Sequence, residues 1–150
     1  RKFALLFTAL ALAGAALAQP AAPKQTDRMP SVLGQWAFKT EPYREGCVLN
    51  GVMTISRGGL GRGYVCKFEA SESCPGFRVR TTQTCAIRNS PDMLRMSSTL
   101  VDVRPAQYWS SYLADNFRLD DVKPAQMKGV LYSGGLEVPV TFRRGDAATS

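Results

Sequence analysis

Four cysteines and no histidine set the chemical limits of this 150-residue sequence. Without imidazole there is no Ser-His-Asp or Cys-His nucleophile pair, no histidine acid–base catalysis and no His-containing zinc site. A hydrolase made from the remaining residues needs paired carboxylates, a Ser-Lys arrangement or a metal held by oxygen. Asp102, Asp115, Asp120 and Asp121 are the carboxylate candidates. Adjacent Asp120 and Asp121 point to opposite faces of a strand, so they do not flank one bond. Asp115-Asn116 reads as a turn that hydrogen-bonds its own backbone. The alternating oxygen ligands and closing glutamate of a calcium loop are missing. Gly58-Gly59-Leu60-Gly61-Arg62-Gly63 has the glycines of a phosphate loop, but it joins two strands, where a phosphate loop opens a helix. The expectation is a protein that is not an enzyme and uses no cofactor or metal.

The cysteines fall at 47, 66, 74 and 85, with 18, 7 and 10 residues between them and no Cys-x-x-Cys. That spacing fits neither a zinc site nor a thioredoxin-like redox pair. Four cysteines in an exported chain imply two disulfides, which can pair in three ways. Register narrows the choice. A hairpin centred on Leu60–Gly61 puts Cys47 opposite Cys74, and one centred between Pro75 and Gly76 puts Cys66 opposite Cys85. Each bridge contributes about 3 kcal/mol by closing a loop of the unfolded chain.

Two further groups are candidates for binding. Gln83 and Thr81 fall on the inward parity of a strand, and a buried amide must satisfy its hydrogen bonds against neighbours or a ligand. Tyr108-Trp109-Ser110-Ser111-Tyr112 carries three aromatics in five residues, which in a loop makes a binding edge and otherwise packs under the fold. Trp36 is placed to plug the base.

The elements that must position these residues alternate with period two. Cys47, Leu49, Gly51, Met53 and Ile55 share one face. Tyr64, Cys66, Phe68 and Ala70 share the next. Phe77, Val79, Thr81, Gln83, Cys85 and Ile87 share a third, with Arg78, Arg80, Thr82, Thr84 and Arg88 facing water. Leu94 to Val103 fits a fourth strand, with a bulge where apolar parity switches between Leu100 and Val101. Further strands fit 34–40, 117–119, 127–133 and 136–143, with Pro139 expected at a sheet edge or bulge. Ala106 to Tyr112 reads as a short helical turn or an aromatic loop. A sheet of seven or eight short strands with one apolar face closes on itself or folds into a sandwich. The expected fold is all-β: a small antiparallel up-and-down β-barrel of about seven to eight strands with two disulfides and a flexible N-terminal arm.

Arg1 and Lys2 precede an uncharged run to Ala18 that ends in Ala16-Leu17-Ala18, the pattern of a cleaved signal peptide over residues 1–18. The run is too short for a bilayer-spanning helix, which needs about 20 residues. The expected location is periplasmic or secreted, with no membrane span and no lipid-anchor cysteine. Residues 19–31 hold three prolines and read as a flexible arm. The barrel domain occupies 32–144, and 145–150 form a disordered tail. The net charge of +7 falls to +5 without Arg1 and Lys2. That balance favours anionic partners such as envelope polysaccharide, phospholipid or nucleic acid, or simply solubilises the chain, and no basic run is dense enough to form an obvious patch.

Gly34-Gln35-Trp36, followed by Cys47-Val48-Leu49, resembles the bacterial alkaline metalloprotease inhibitors of the Inh type, and more generally the Gly-x-Trp strand of lipocalin-like barrels. The resemblance covers about the first third of residues 19–150. It implies a small exported barrel whose N-terminal arm enters a protease cleft, with Gln19, Pro20 and Ala21 leading and Trp36 holding the base of the arm. The chain departs from the family in having four cysteines where one disulfide is usual, and in its segment 112–144. The leading expectation is a non-enzymatic binding protein acting on a protease or another envelope protein, not on nucleic acid. The alternatives are a carrier of a small apolar or anionic ligand, lined by Met53, Tyr64, Phe68, Thr81 and Gln83, and an envelope-surface adaptor working through its arginines and the Tyr108–Tyr112 edge.

Overall fold

A computed structural model describes residues 14–19, 29–61 and 63–145. Residues 1–13 of the expected signal segment, residues 20–28 of the expected arm with Pro20 and Ala21 among them, and the tail beyond Gly145 lie outside the described residues. Eight antiparallel strands follow in chain order: β1 (Gly34–Thr40), β2 (Val48–Arg57), β3 (Tyr64–Cys74), β4 (Phe77–Ser90), β5 (Met93–Arg104), β6 (Asn116–Val122), β7 (Gln126–Ser133) and β8 (Leu136–Arg144). Each pairs with the next, and β8 returns to pair with β1, so the sheet closes into a barrel. Closure follows from the alternation, because eight strands with one apolar face bury that face by curling around it.

The axis is filled by side chains. Phe38, Phe68, Phe117 and Phe142 pack with ring centroids 5.1–5.8 Å apart, and Trp36, Met53, Met96 and Met127 are fully buried. Phe38 lies over Gly51, the residue it faces across β1 and β2, where a β-carbon would collide with the ring and with the Glu69 carbonyl. Lys39, Lys67, Arg80 and Arg95 are among the exposed outward residues. This apolar-in, charged-out arrangement is the reverse of a lipid-facing barrel. No helix among the described residues is long and apolar enough to cross a membrane.

The disulfides are Cys47–Cys74 and Cys66–Cys85, the pairing that register favoured. The ladders place Val48 opposite Ser73 and Cys66 opposite Cys85. Two such bridges fit an oxidising, extracytoplasmic environment. Pro75-Gly76 makes the tight turn between β3 and β4, and the φ of 86° at Gly76 is one that glycine adopts without strain.

Four local expectations are corrected. Pro139 is not on an edge strand, since β8 pairs with both β7 and β1. Its carbonyl accepts the Glu41 N–H, so its nitrogen faces the same side, where the β1 ladder has already stopped at Thr40. Asp120 and Asp121 do not split between faces, because a register shift between Leu119 and Asp121 leaves both exposed. Phe77 is 45% exposed and does not point inward with the rest of β4. Asp115 is buried and bonded across the barrel, so it is no self-bonded surface turn.

The β1–β2, β3–β4, β5–β6 and β7–β8 connections gather at one end of the barrel. The chain enters β1 at the opposite end, the base.

Candidate functional site

The gathered connections enclose a cleft of about 240 Å³ walled by Tyr43, Phe77, Tyr108 and Tyr112, with Glu72 and Asp115 in its lining. The strands explain how it forms. β5 pairs with β6 only through Leu94–Met96, and the upper half of β5 then parts from its neighbour. Asn116 Oδ1 accepts the Ser98 N–H at 2.8 Å where the ladder has stopped. Residues 105–115 cross from β5 to β6, starting with a 3₁₀ turn at Ala106–Tyr108.

Asp115 sits at the floor of the connection, 4% exposed. Its Oδ2 accepts the Gln83 Nε2 at 2.6 Å and the Tyr112 hydroxyl at 3.1 Å, while its own N–H donates to Gln83 Oε1 at 3.0 Å. Gln83 gives its second amide hydrogen to Thr81 Oγ1 at 2.9 Å. The inward-facing amide is thus satisfied by protein, and it anchors the β5–β6 connection to β4. Burial is the main reason the Asp115 carboxyl rises from 3.8 to about 7; the bonds from Gln83 and Tyr112 pull it back, and the charge of Glu72 adds a further rise. Both side-chain bonds use Oδ2, so Oδ1 is the oxygen left for another donor.

A second acidic group lies beside the first. The Tyr43 hydroxyl donates to Glu72 Oε1 at 2.6 Å, and the Arg44 guanidinium stands 3.9 Å from the same oxygen and 5.9 Å from the Tyr43 ring. The Tyr43 phenol is held above its ordinary value by burial first, and then by its bond to and the charge of Glu72. Burial followed by the charges of Asp115 and Glu72 does the same to Tyr112. Both phenols therefore stay protonated and act as donors. Around the cleft Phe77, Trp109 and Leu113 are 45%, 46% and 58% exposed, and Phe77 stacks on Tyr108 with centroids 6.0 Å apart. Aromatic groups held open at a loop rim are what protein interfaces are built on.

Of the residues singled out from sequence, Gln83, Tyr108, Trp109 and Tyr112 come together at this end, and Asp115 links Gln83 to Tyr112. Trp36 lies at the base, fully buried. Its Nε1 donates to the Val32 carbonyl at 2.8 Å, and the Arg144 guanidinium lies 4.3 Å above its ring. Gln19 is exposed and in no strand. Met53, Phe68, Thr81 and Gln83, proposed as carrier lining, pack into the filled interior, and Tyr64 is partly buried against it. Sequence reasoning missed Glu72 and Tyr43, and it weighed Asp115 as a carboxylate candidate but read it as a turn. The available signal was Gln83 itself, because an inward amide beside Thr81 requires a polar partner from another strand. Cys47, Glu72 and Cys74 converge as metal donors would, but both sulfurs are in the disulfide and offer no thiolate.

No known family profile matches the chain, and no curated protein matches it. Among solved structures it is similar to a de novo designed fluorescence-activating β-barrel, with 18% identity and a TM-score of 0.52 over 75% of this chain and 93% of that one. The likeness is one of fold: a small antiparallel β-barrel.

Proposed function

We propose that this is an exported, non-enzymatic binding protein that engages its partner through the loop-bearing end of the barrel. The observation that carries this reading is the exposed rim of Phe77 and Leu113 around a cleft lined by Glu72 and Asp115, with exposed Trp109 next in the chain to Tyr108 of its wall. The rim supplies apolar contact area. The cleft takes a basic group of the partner, such as a lysine or arginine side chain. That group meets Asp115 Oδ1 and competes with Arg44 for Glu72, between aromatic walls that favour a cation. Partner capture from envelope extract by the immobilised oxidised protein tests this. A Trp109→Ala/Leu113→Ser variant keeps its melting temperature and loses the partner; undiminished capture refutes the reading.

A second reading, protease inhibition by the N-terminal arm, draws on the resemblance and on one observation at the base. Arg144 Nη1 and Nη2 donate to the carbonyls of Leu33 and Ser31 at 2.6 and 2.8 Å, and Nε donates to Pro124 at 2.8 Å. This clamp holds Ser31 and Leu33 at the base, the fixed anchor that an inserting arm requires. Deleting 19–30 abolishes inhibition of an alkaline metalloprotease and leaves the melting temperature unchanged; retained inhibition removes this reading.

A further inference from the structure

The outward face of β4 and β5 carries arginines in a pattern that the ladder makes unfavourable. Arg80 lies directly opposite Arg104, Arg88 opposite Arg95, and Arg95 opposite Arg118 of β6. Directly opposed side chains on a sheet approach within about 5 Å at their β-carbons, and like charges there are destabilising. Asp102 neutralises Arg104 at 2.9 Å and Glu137 meets Arg118 at 3.4 Å. Arg78, Arg80, Arg88 and Arg95 have no carboxylate partner among the described residues.

The bulge in β5 belongs to this pattern. Val101 is the extra residue opposite the Thr82/Gln83 step. Before it, odd-numbered residues of β5 face out; after it, Asp102 and Arg104 do. Without the bulge Arg104 would point into the barrel, so the irregularity re-aims it beside Arg80. The two arginine rungs stand eight residues apart along β4, about 27 Å. Between them the outward residues are short, Thr82, Thr84 and Ala86 on β4 and Ser97, Thr99, Val101 and Asp102 on β5, and four of them are hydroxylated. The Arg88–Arg95 rung lies beyond the hollows that cross this floor. Two shallow hollows of about 550 and 900 Å³ run over this floor and meet at Val52 and Glu69. Glu69 and Asp102 are the carboxylates on their walls, against Lys67, Arg78, Arg80 and Arg104.

We infer that this face is a binding track for a linear anionic polysaccharide, with the arginine rungs gripping carboxylates at its two ends and the threonine and serine floor meeting sugar hydroxyls. Arginine presents a planar fork that matches a carboxylate, which explains arginine rather than lysine in both rungs. The outward side chains between the rungs include no aromatic, so the stacking platform of a single-stranded nucleic-acid site is missing from this face. An anionic chain laid across both rungs relieves the repulsion that the empty face carries. The track is separate from the loop-bearing end and stands or falls independently of it.

Fluorescence anisotropy with labelled polygalacturonate tests the assignment on the oxidised full chain, with dextran as the neutral control and a thymidine oligonucleotide as the competing polyanion. Polygalacturonate binds, more weakly as salt rises, and dextran does not. Arg80→Gln/Arg104→Gln and Arg88→Gln/Arg95→Gln each weaken binding about tenfold. Arg88→Gln/Arg95→Gln melts at or above the temperature of the parent, because it removes an opposed like-charge pair, while Arg80→Gln/Arg104→Gln also gives up the exposed Asp102 ion pair and melts close to the parent. Lys39→Gln/Lys128→Gln, which removes two charges from other strands, changes affinity far less. The assignment is overturned if polygalacturonate does not bind, if the lysine variant loses as much as the arginine variants, or if the oligonucleotide binds more tightly.

Discussion

Asp115→Asn separates the charge at the floor of the cleft from its shape. The carboxyl rises from 3.8 to about 7 on folding, chiefly through burial. Each pH unit of such a difference is about 1.4 kcal/mol, so keeping Asp115 ionised in the folded protein costs about 4 kcal/mol. The folded state holds this proton more tightly than the unfolded chain does. Stability from this group is therefore fully present below pH 3.8, declines as pH rises, and has no more to lose above about 7. Asparagine fills the same volume and keeps an oxygen to accept from Gln83 and Tyr112, without the charge. Urea unfolding of both proteins across this range, compared as a difference, cancels the other titrating groups that the two share. Near pH 3.5 the variant is equal to the parent or about 1 kcal/mol less stable, for the altered hydrogen bonds. Above pH 8 it is more stable by about 3–4 kcal/mol, a midpoint shift of about 2 M urea. A difference that stays flat, or that favours the parent increasingly with pH, refutes the reasoning: the bonds from Gln83 and Tyr112 would then outweigh burial.

Three further perturbations follow from the packing. Gly51→Ala drives a β-carbon into the Phe38 ring and the Glu69 carbonyl, costing about 2–3 kcal/mol in thermal unfolding, while Val52→Ala on the exposed side of the same strand stays within about 0.5 kcal/mol. Arg144→Gln removes the guanidinium from Leu33, Ser31 and Pro124; hydrogen exchange at residues 31–35 accelerates, while exchange at β4 is unchanged. Cys66→Ser/Cys85→Ser opens a bridge between residues 19 apart and lowers unfolding free energy by about 3 kcal/mol, read by urea denaturation at neutral pH.

The cysteine pairing illustrates how far local pattern reaches. The connection from Arg57 to Tyr64 and the tight turn at Pro75–Gly76 set two registers, and pleat parity then sets each sulfur against its partner, which is why spacing favoured Cys47–Cys74 and Cys66–Cys85 among the three possible pairings. Parity likewise placed Gln83 inside and located the bulge at Val101. It failed at Phe77, Asp115 and Asp120-Asp121, which stand where a strand ends, a connection crosses or a register slips, and where alternation carries no information.

What the sequence by itself determined is the local and periodic part, an all-β chain of seven or eight strands with the favoured disulfide register, because side-chain alternation and turn geometry act between residues close along the chain. That β8 returns to β1 and closes the sheet is a tertiary contact. The cleft and the arginine rungs were decided by tertiary structure. Asp115 meets Gln83 across 32 positions. Arg80 meets Arg104, Arg88 meets Arg95, and Arg95 meets Arg118, only after registers have been set strand by strand. The arginines form no dense run in the sequence and become a patch because strand pairing sets residues far apart in the chain about 5 Å from one another.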